Sequence, residues 1–228
     1  MGSMGRVVPV VVLSCMVLAG CSSSGSGSDS VGGAPGKNGG SAGGPSGTGV
    51  VPSGSVGEIP VGVGPQSAYT VQQQPPAGSC HYRFEKGEPL EDPKCTPGAL
   101  SPAVTQANLG STICRKGGYT KNIRPPESVT RKEKAANAAS YGYKGSFGDA
   151  EYDHLISLQL GGDPNDYRNL WVEPADPGHK PGSGVNNLKD PVETKLHTAV
   201  CSGKVTLKAA QQAIVSDWTT ALSRLGLS

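Results

Sequence analysis

Apolar side chains fall along this chain in three regimes. A dense run from Val7 to Leu18 is broken only by Pro9 and Ser14. Residues 22–79 carry almost no large apolar side chains, and Gly, Ser and Pro dominate. From residue 80 onward apolar positions recur with the periods of regular structure. Glu151 to Leu160 predicts a strand, with Leu158 and Leu160 alternating. Gly161-Gly162-Asp163-Pro164-Asn165-Asp166 is turn chemistry, and Asn169 to Val172 predicts a second strand. Asp190-Pro191 predicts a helix start, an N-cap followed by Pro at the first helical position. Val192, Leu196 and Val200 then fall at i, i+4 and i+8, a stripe for a core, and Gly203 ends that helix. Thr206 starts a last helix with Leu207, Ala210, Ile214 and Trp218 facing inward. Upstream, Ser101-Pro102 predicts a short helix to about Leu109, and Thr130 with Glu133 reads as a capping box. Residues 80–100 read as an irregular cap, and Tyr141 to Phe147 as loop. The fold class is α+β: a β-hairpin, a helix against it and additional packing helices.

Composition sets the domain limits. Residues 1–79 hold 19 of the 34 glycines and four charged residues, Arg6, Asp29, Lys37 and Glu58. Beyond the apolar run, such a segment cannot bury enough surface to offset its conformational entropy. Residues 80–228 hold both Trp, both Phe and six of the seven Tyr, enough for one domain with one core. The expected organisation is 1–20 signal peptide, 21–79 tether and 80–228 folded domain. Net charge is +2, so no basic tail argues for nucleic acid, and a local basic cleft is left open.

The N-terminal run suits the apolar region of a signal peptide and is too short to span a membrane. It ends in Leu18-Ala19-Gly20-Cys21, which resembles a bacterial lipobox. The resemblance implies cleavage before Cys21 and its diacylation (palmitate-type chains), anchoring the protein to the outer face of the bacterial cell membrane. A Gly/Ser tether of this length spans roughly 40 Å root-mean-square. The anchor would be the only membrane contact, with no transmembrane helix and a monomeric domain. Cys80, Cys95, Cys114 and Cys201 remain, an even number in an exported domain, which reads as two disulfides. Their spacings of 15, 19 and 87 contain no close pairs of a zinc ribbon. Three pairings are open, and in each Cys201 reaches back to the front of the domain.

Chemistry concentrates in the second half. Asp153 and His154 are adjacent, so in a strand they point to opposite sides. His154 is a candidate general base, since a neutral imidazole near its own pKa can take a proton from water. Asp153 can then hold a metal. Glu193 and His197 lie four apart on one helix, one turn from each other, and can converge on one ion. Carboxylate and imidazole without thiolate suit Mg²⁺, Mn²⁺ or Zn²⁺. Arg124 and Arg168 are candidates for phosphate contact. His81 and His179 sit in Pro/Gly-rich loops and read as solvent-facing. Taken singly, each of these residues has an ordinary surface or structural reading; their order along the chain is rarer than the parts.

That order, Asp153-His154, Gly161-Gly162, Asn169-Leu170-Trp171, then Glu193 and His197, resembles the HNH (ββα-metal) nucleases, in particular small exported bacterial members. The likeness extends to Cys95-Thr96-Pro97-Gly98, Thr112-Ile113-Cys114 and Arg124-Pro125-Pro126 in the first half. In the second it includes Lys189-Asp190, Leu196-His197, Val200-Cys201 and Asp217-Trp218. It covers residues 80–222 and none of the tether. It implies a ββα-metal core in which Asp153 and His197 hold one divalent ion, with Glu193 as a third ligand. His154 would be the base, and Asn169 would pin the hairpin loop and orient His154. The implied activity is metal-dependent endonucleolytic hydrolysis of DNA, and RNA as a possible second substrate, with little sequence preference. A non-catalytic, disulfide-stapled binding module on the same scaffold is the alternative.

Overall fold

The computed structural model describes residues 57–227; the apolar N-terminal run, Cys21 and the tether up to residue 56 lie outside them. Among the described residues four short strands form two separate antiparallel pairs. In the second pair β3 (Glu151–His154) faces β4 (Leu170–Glu173), with Asp153 opposite Trp171 and His154 opposite Leu170. The first of these strands is shorter than the alternation to Leu160 predicts. After His154 the chain leaves the ladder: Leu155 N donates to Asn169 O, but Ile156 N donates to the Asn169 side chain. Leu158–Leu160 then winds into one 3₁₀ turn, so Leu158 and Leu160 are both buried rather than alternating. The turn closes at Gly161, whose φ of +76° is left-handed, a conformation that costs a side-chain-bearing residue. Gly162 is needed for space. A Cβ there would lie 1.7 Å from Ile156 O and 2.7 Å from Asn169 Nδ2.

Helix α1 (Glu127–Ser140) lies against β4 and completes its outer edge with a side chain. Asn137 Oδ1 accepts from Val172 N (2.8 Å), and its Nδ2 donates to Leu170 O (3.4 Å). The helix begins after Pro125-Pro126, so Thr130 and Glu133 are interior positions rather than a capping box; Glu133 is buried and accepts from Gln72 N. Helix α2 (Lys189–Cys201) begins one residue before Asp190. Its buried residues are Lys189, Glu193, Leu196, Ala199 and Val200, and Val192 is only half-buried. Helix α3 (Leu207–Ser216) is capped by Thr206, whose side chain accepts from Ala209 N at 3.2 Å. Trp218 belongs not to α3 but to a 3₁₀ turn beyond Asp217, followed by α4 (Ala221–Arg224). There its indole Nε1 donates to Pro89 O (3.0 Å). Leu155, Ile156, Leu160, Trp171, Leu196, Val200 and Ile214 meet in one core where the hairpin, α2 and α3 pack.

The front of the domain is more regular than Pro and Gly there predict. β1 (Arg83–Glu85) and β2 (Glu88–Leu90) form a hairpin turning at Lys86-Gly87, both with positive φ. Instead of a helix from Ser101, the next turn is 3₁₀, Gln106–Ser111. Cys80 pairs with Cys95, and Cys114 with Cys201, so the end of α2 is stapled to the front of the domain. Two disulfides are the mark of an oxidising, extracytoplasmic setting. No described helix is long and apolar enough to cross a membrane.

Residues 57–79 extend the ordered part past the boundary at residue 80. They run as an arm without repeated secondary structure, tied down along its length. Gly62 N bonds Leu100 O, and Gly64 N bonds Asp163 Oδ2 (2.6 Å). Tyr69 OH donates to Ile123 O (2.6 Å), and Asn165 Nδ2 donates to Thr70 O (2.9 Å). Ser140 Oγ donates to Pro75 O (2.5 Å). Backbone groups the arm would otherwise leave unpaired find partners on the domain, which is what composition alone does not reveal.

Candidate active site

His154 ends β3 at the point where the chain departs from the ladder. Its ring is buried, and Nε2–H donates to the Pro164 carbonyl at 3.0 Å. A carbonyl only accepts, so in the neutral ring Nδ1 carries the lone pair; among the described residues Nδ1 has no hydrogen-bond partner. Pro164 is held by the turn around it. Asp163 Oδ1 accepts from Asn165 N (3.0 Å) and Asp166 N (2.9 Å). Asn169 fixes both ends of the intervening loop, accepting from Ile156 N and donating to Ile156 O and Asp163 O, each at 3.0 Å. Its side chain is fully enclosed. The ring therefore stands in an orientation set by backbone atoms, and Asn169 holds those atoms. Burial lowers the His154 pKa below the ordinary imidazole value, assisted by the charges of Arg124 and Lys189 and opposed by Asp153 and the bond to Pro164.

Behind His154 lies a buried charged cluster. The Lys189 side chain has no solvent exposure. Its ammonium donates to Asp153 Oδ2 (2.5 Å), to Glu193 Oε1 and to the His154 carbonyl (2.9 Å). Burial alone would lower the Lys189 pKa, but Asp153, Glu193 and Glu173 overcome it and hold the ammonium charged. Burial lifts Glu193 to about 7, against the pull of Lys189. Glu173 is buried and raised well above the carboxylate range, first by burial and then by the Asp153 charge. Its Oε1 has no conventional partner, and as the neutral acid it can donate to Asp153. Its other oxygen accepts from Asn187 Nδ2 (3.1 Å).

The other predicted residues divide. Asp153 and Glu193 do meet, but across an ammonium. His197 does not join them: its Nε2–H donates to Ile113 O (3.0 Å) beside Cys201 Sγ (3.3 Å). The ligand set Asp153, Glu193 and His197 thus fails to converge, because Glu193 turns inward with Lys189 while His197 faces the disulfide. Among the described residues, Cys114, His197 and Cys201 form a group that could hold a metal ion, their ligand atoms lying within 4.8 Å of one another. In the structure those sulfurs are bonded to each other, and a disulfide offers no thiolate, so this group is a metal site only once reduced. Arg124 is exposed, near enough that its charge adds to the lowering of the His154 pKa by burial and opposes the rise that burial imposes on Asp190. Arg168 is engaged by Asp166 through Nε (2.9 Å) and Nη2 (2.5 Å), a structural ion pair rather than a free phosphate contact. His179 is not solvent-facing either; it lies 3.1 Å from Asp149, which also accepts from Gly182 N and Gly184 N and so ties down the loop before α2.

Lys189 and Glu173 are the site residues that the pattern along the chain missed. Lys189 continues the buried line 189–193–196–200 of α2. A charge at a core position, four residues from a carboxylate at another, was the available signal. Glu173 ends β4 directly opposite Glu151, a pairing visible only once the register is known. No protein-family model, no curated protein and no solved structure matches this chain.

Proposed function

We propose that this chain is an exported endonuclease that hydrolyses phosphodiester bonds of DNA, with little sequence preference, using His154 as general base. The observation that carries this reading is the His154 ring: Nε2–H is committed to Pro164, leaving Nδ1 to accept a proton. A lone pair fixed in direction, on a group whose pKa lies below its usual value, is what a base working near neutral pH requires. Arg124 stands beside it as the cation to offset charge on the attacked phosphate. Water attack in line would leave a 5′-phosphate and a 3′-hydroxyl, the outcome the HNH resemblance implies. No step is assigned to a divalent ion, since the three residues expected to bind one do not come together. Acylation of Cys21 would hold the enzyme at the outer face of the cell membrane, a setting in keeping with the two disulfides.

The test is nicking of supercoiled plasmid by the purified, oxidised protein beside His154→Ala, with Mg²⁺, Mn²⁺ or EDTA. Cutting by the wild type that is lost in the variant supports the reading. No cutting under any of these conditions by a folded domain would leave the binding module as the better account.

A further inference from the structure

We infer that Lys189 is the resident cation of this site, standing between Asp153 and Glu193 where a divalent ion would otherwise be sought, so that an ion can enter only by displacing it. The inference deepens the hydrolytic reading and rests on it for its bearing on catalysis; its test does not count DNA cuts.

All three protons of the Lys189 ammonium are committed, to Asp153 Oδ2, Glu193 Oε1 and the His154 carbonyl. None is left to reach a phosphate, so Lys189 is a positioning residue and not a catalytic one. What it positions is specific. One bond holds the backbone of His154 itself, and the ammonium belongs to the first turn of α2, so hairpin and helix are joined at the residue proposed as the base. Buried charges are tolerated only when paired, and here the pairing is internal. A divalent ion placed among the same oxygens would meet an ammonium at contact distance, where like charges repel strongly in a poorly screened interior.

A second observation points the same way. Glu173, buried beside Asp153, has an oxygen without a hydrogen-bond partner. The cluster thus gathers three carboxyl groups, those of Asp153, Glu173 and Glu193, to one lysine. Remove the ammonium while keeping the volume, as in Lys189→Met, and three carboxyl groups surround an uncompensated space. Oxygen ligands in that number suit Mn²⁺ or Mg²⁺.

The experiment is Mn²⁺ titration of the full oxidised chain, followed by the electron paramagnetic resonance of the free ion, with thermal midpoints in EDTA and in excess Mn²⁺. The wild type should show no Mn²⁺ binding that depends on Asp153, and its midpoint should be the same in both solutions. Lys189→Met should melt lower in EDTA, recover with Mn²⁺ and bind the ion roughly tenfold or more tightly than the wild type. Adding Asp153→Asn should abolish that gain. Tight Mn²⁺ binding by the wild type that Asp153→Asn removes would overturn the inference. So would a folded Lys189→Met that binds no better than the wild type. Should that variant fail to fold with or without Mn²⁺, the wild-type titration with its Asp153→Asn control decides alone.

Discussion

At the residue scale, the site is a matter of two side chains with different duties. In the proposed nuclease His154 supplies the lone pair, so His154→Ala should lower the cleavage rate by about 10²–10⁴-fold while the far-ultraviolet circular dichroism is retained. Asn169 makes no contact with a reacting atom in this account; it holds the loop that holds His154. Replacing it with Ala strands Ile156 N, Ile156 O and Asp163 O inside the protein. Each buried group left without a partner costs about 1–3 kcal/mol, though relaxation recovers part of it. Asn169→Ala should therefore lose about 2–4 kcal/mol in urea unfolding as well as activity, whereas His154→Ala should lose mainly activity. If the two variants showed the same ratio of stability loss to rate loss, this division of duties would be wrong.

At the scale of elements, the hairpin, the two large C-terminal helices, their approximate starts and the stapling of Cys201 to the front were legible in the sequence. Turn residues, caps and helical periodicity are local signals, and those elements are set locally. What was not legible is what depends on partners far along the chain. The β3 strand stops early because Asn169, thirteen residues on, captures Ile156 N. Lys189 and Glu193 turn inward because Asp153 and the His154 carbonyl wait for the ammonium. Read alone, α2 offered Glu193 and His197 as a pair; packing chose Lys189 and Glu193 instead. The arm was invisible for the same reason, since its Gly- and Pro-rich composition says nothing of the acceptors opposite it. Gly64 and Thr70 bond Asp163 and Asn165, which flank Pro164, so the arm steadies the loop that orients His154. A protein starting at residue 78 should accordingly melt several degrees below one starting at residue 57 and cut DNA more slowly. Equal midpoints and equal rates would show that the arm is only draped over the domain.

At the scale of the whole molecule, stability rests on two staples around a modest core. In the chain-entropy account, closing the 15-residue loop of Cys80–Cys95 is worth about 3 kcal/mol and the 87-residue loop of Cys114–Cys201 about 4.6 kcal/mol. Together these rival the whole stability of an ordinary domain, so reduction should unfold it or bring it close to unfolding at 37 °C. A thermal scan with and without reductant measures this. The buried acids set a second dependence. Burial lifts Glu91 to about 7, with Arg83 opposing, and lifts Glu133 to about 7 as well. A carboxyl whose folded pKa is raised binds its proton more tightly when folded. Its contribution is complete below the unfolded pKa near 4.5 and is lost as pH rises through 7. The urea midpoint should therefore fall between pH 5 and pH 8, and Glu91→Gln should flatten that fall; a midpoint that rises across this range contradicts the assignment.

The measurement that tests the central claim most directly is the pH dependence of plasmid nicking by the wild type, set beside His154→Ala. With His154 as the base, its lowered pKa keeps the ring neutral below the ordinary imidazole value. The midpoint of the wild-type acid limb should lie below the ordinary imidazole value of 6.5, and the variant should lose both the rate and that limb. Cutting by His154→Ala at the wild-type rate, with the same pH profile, would contradict the account.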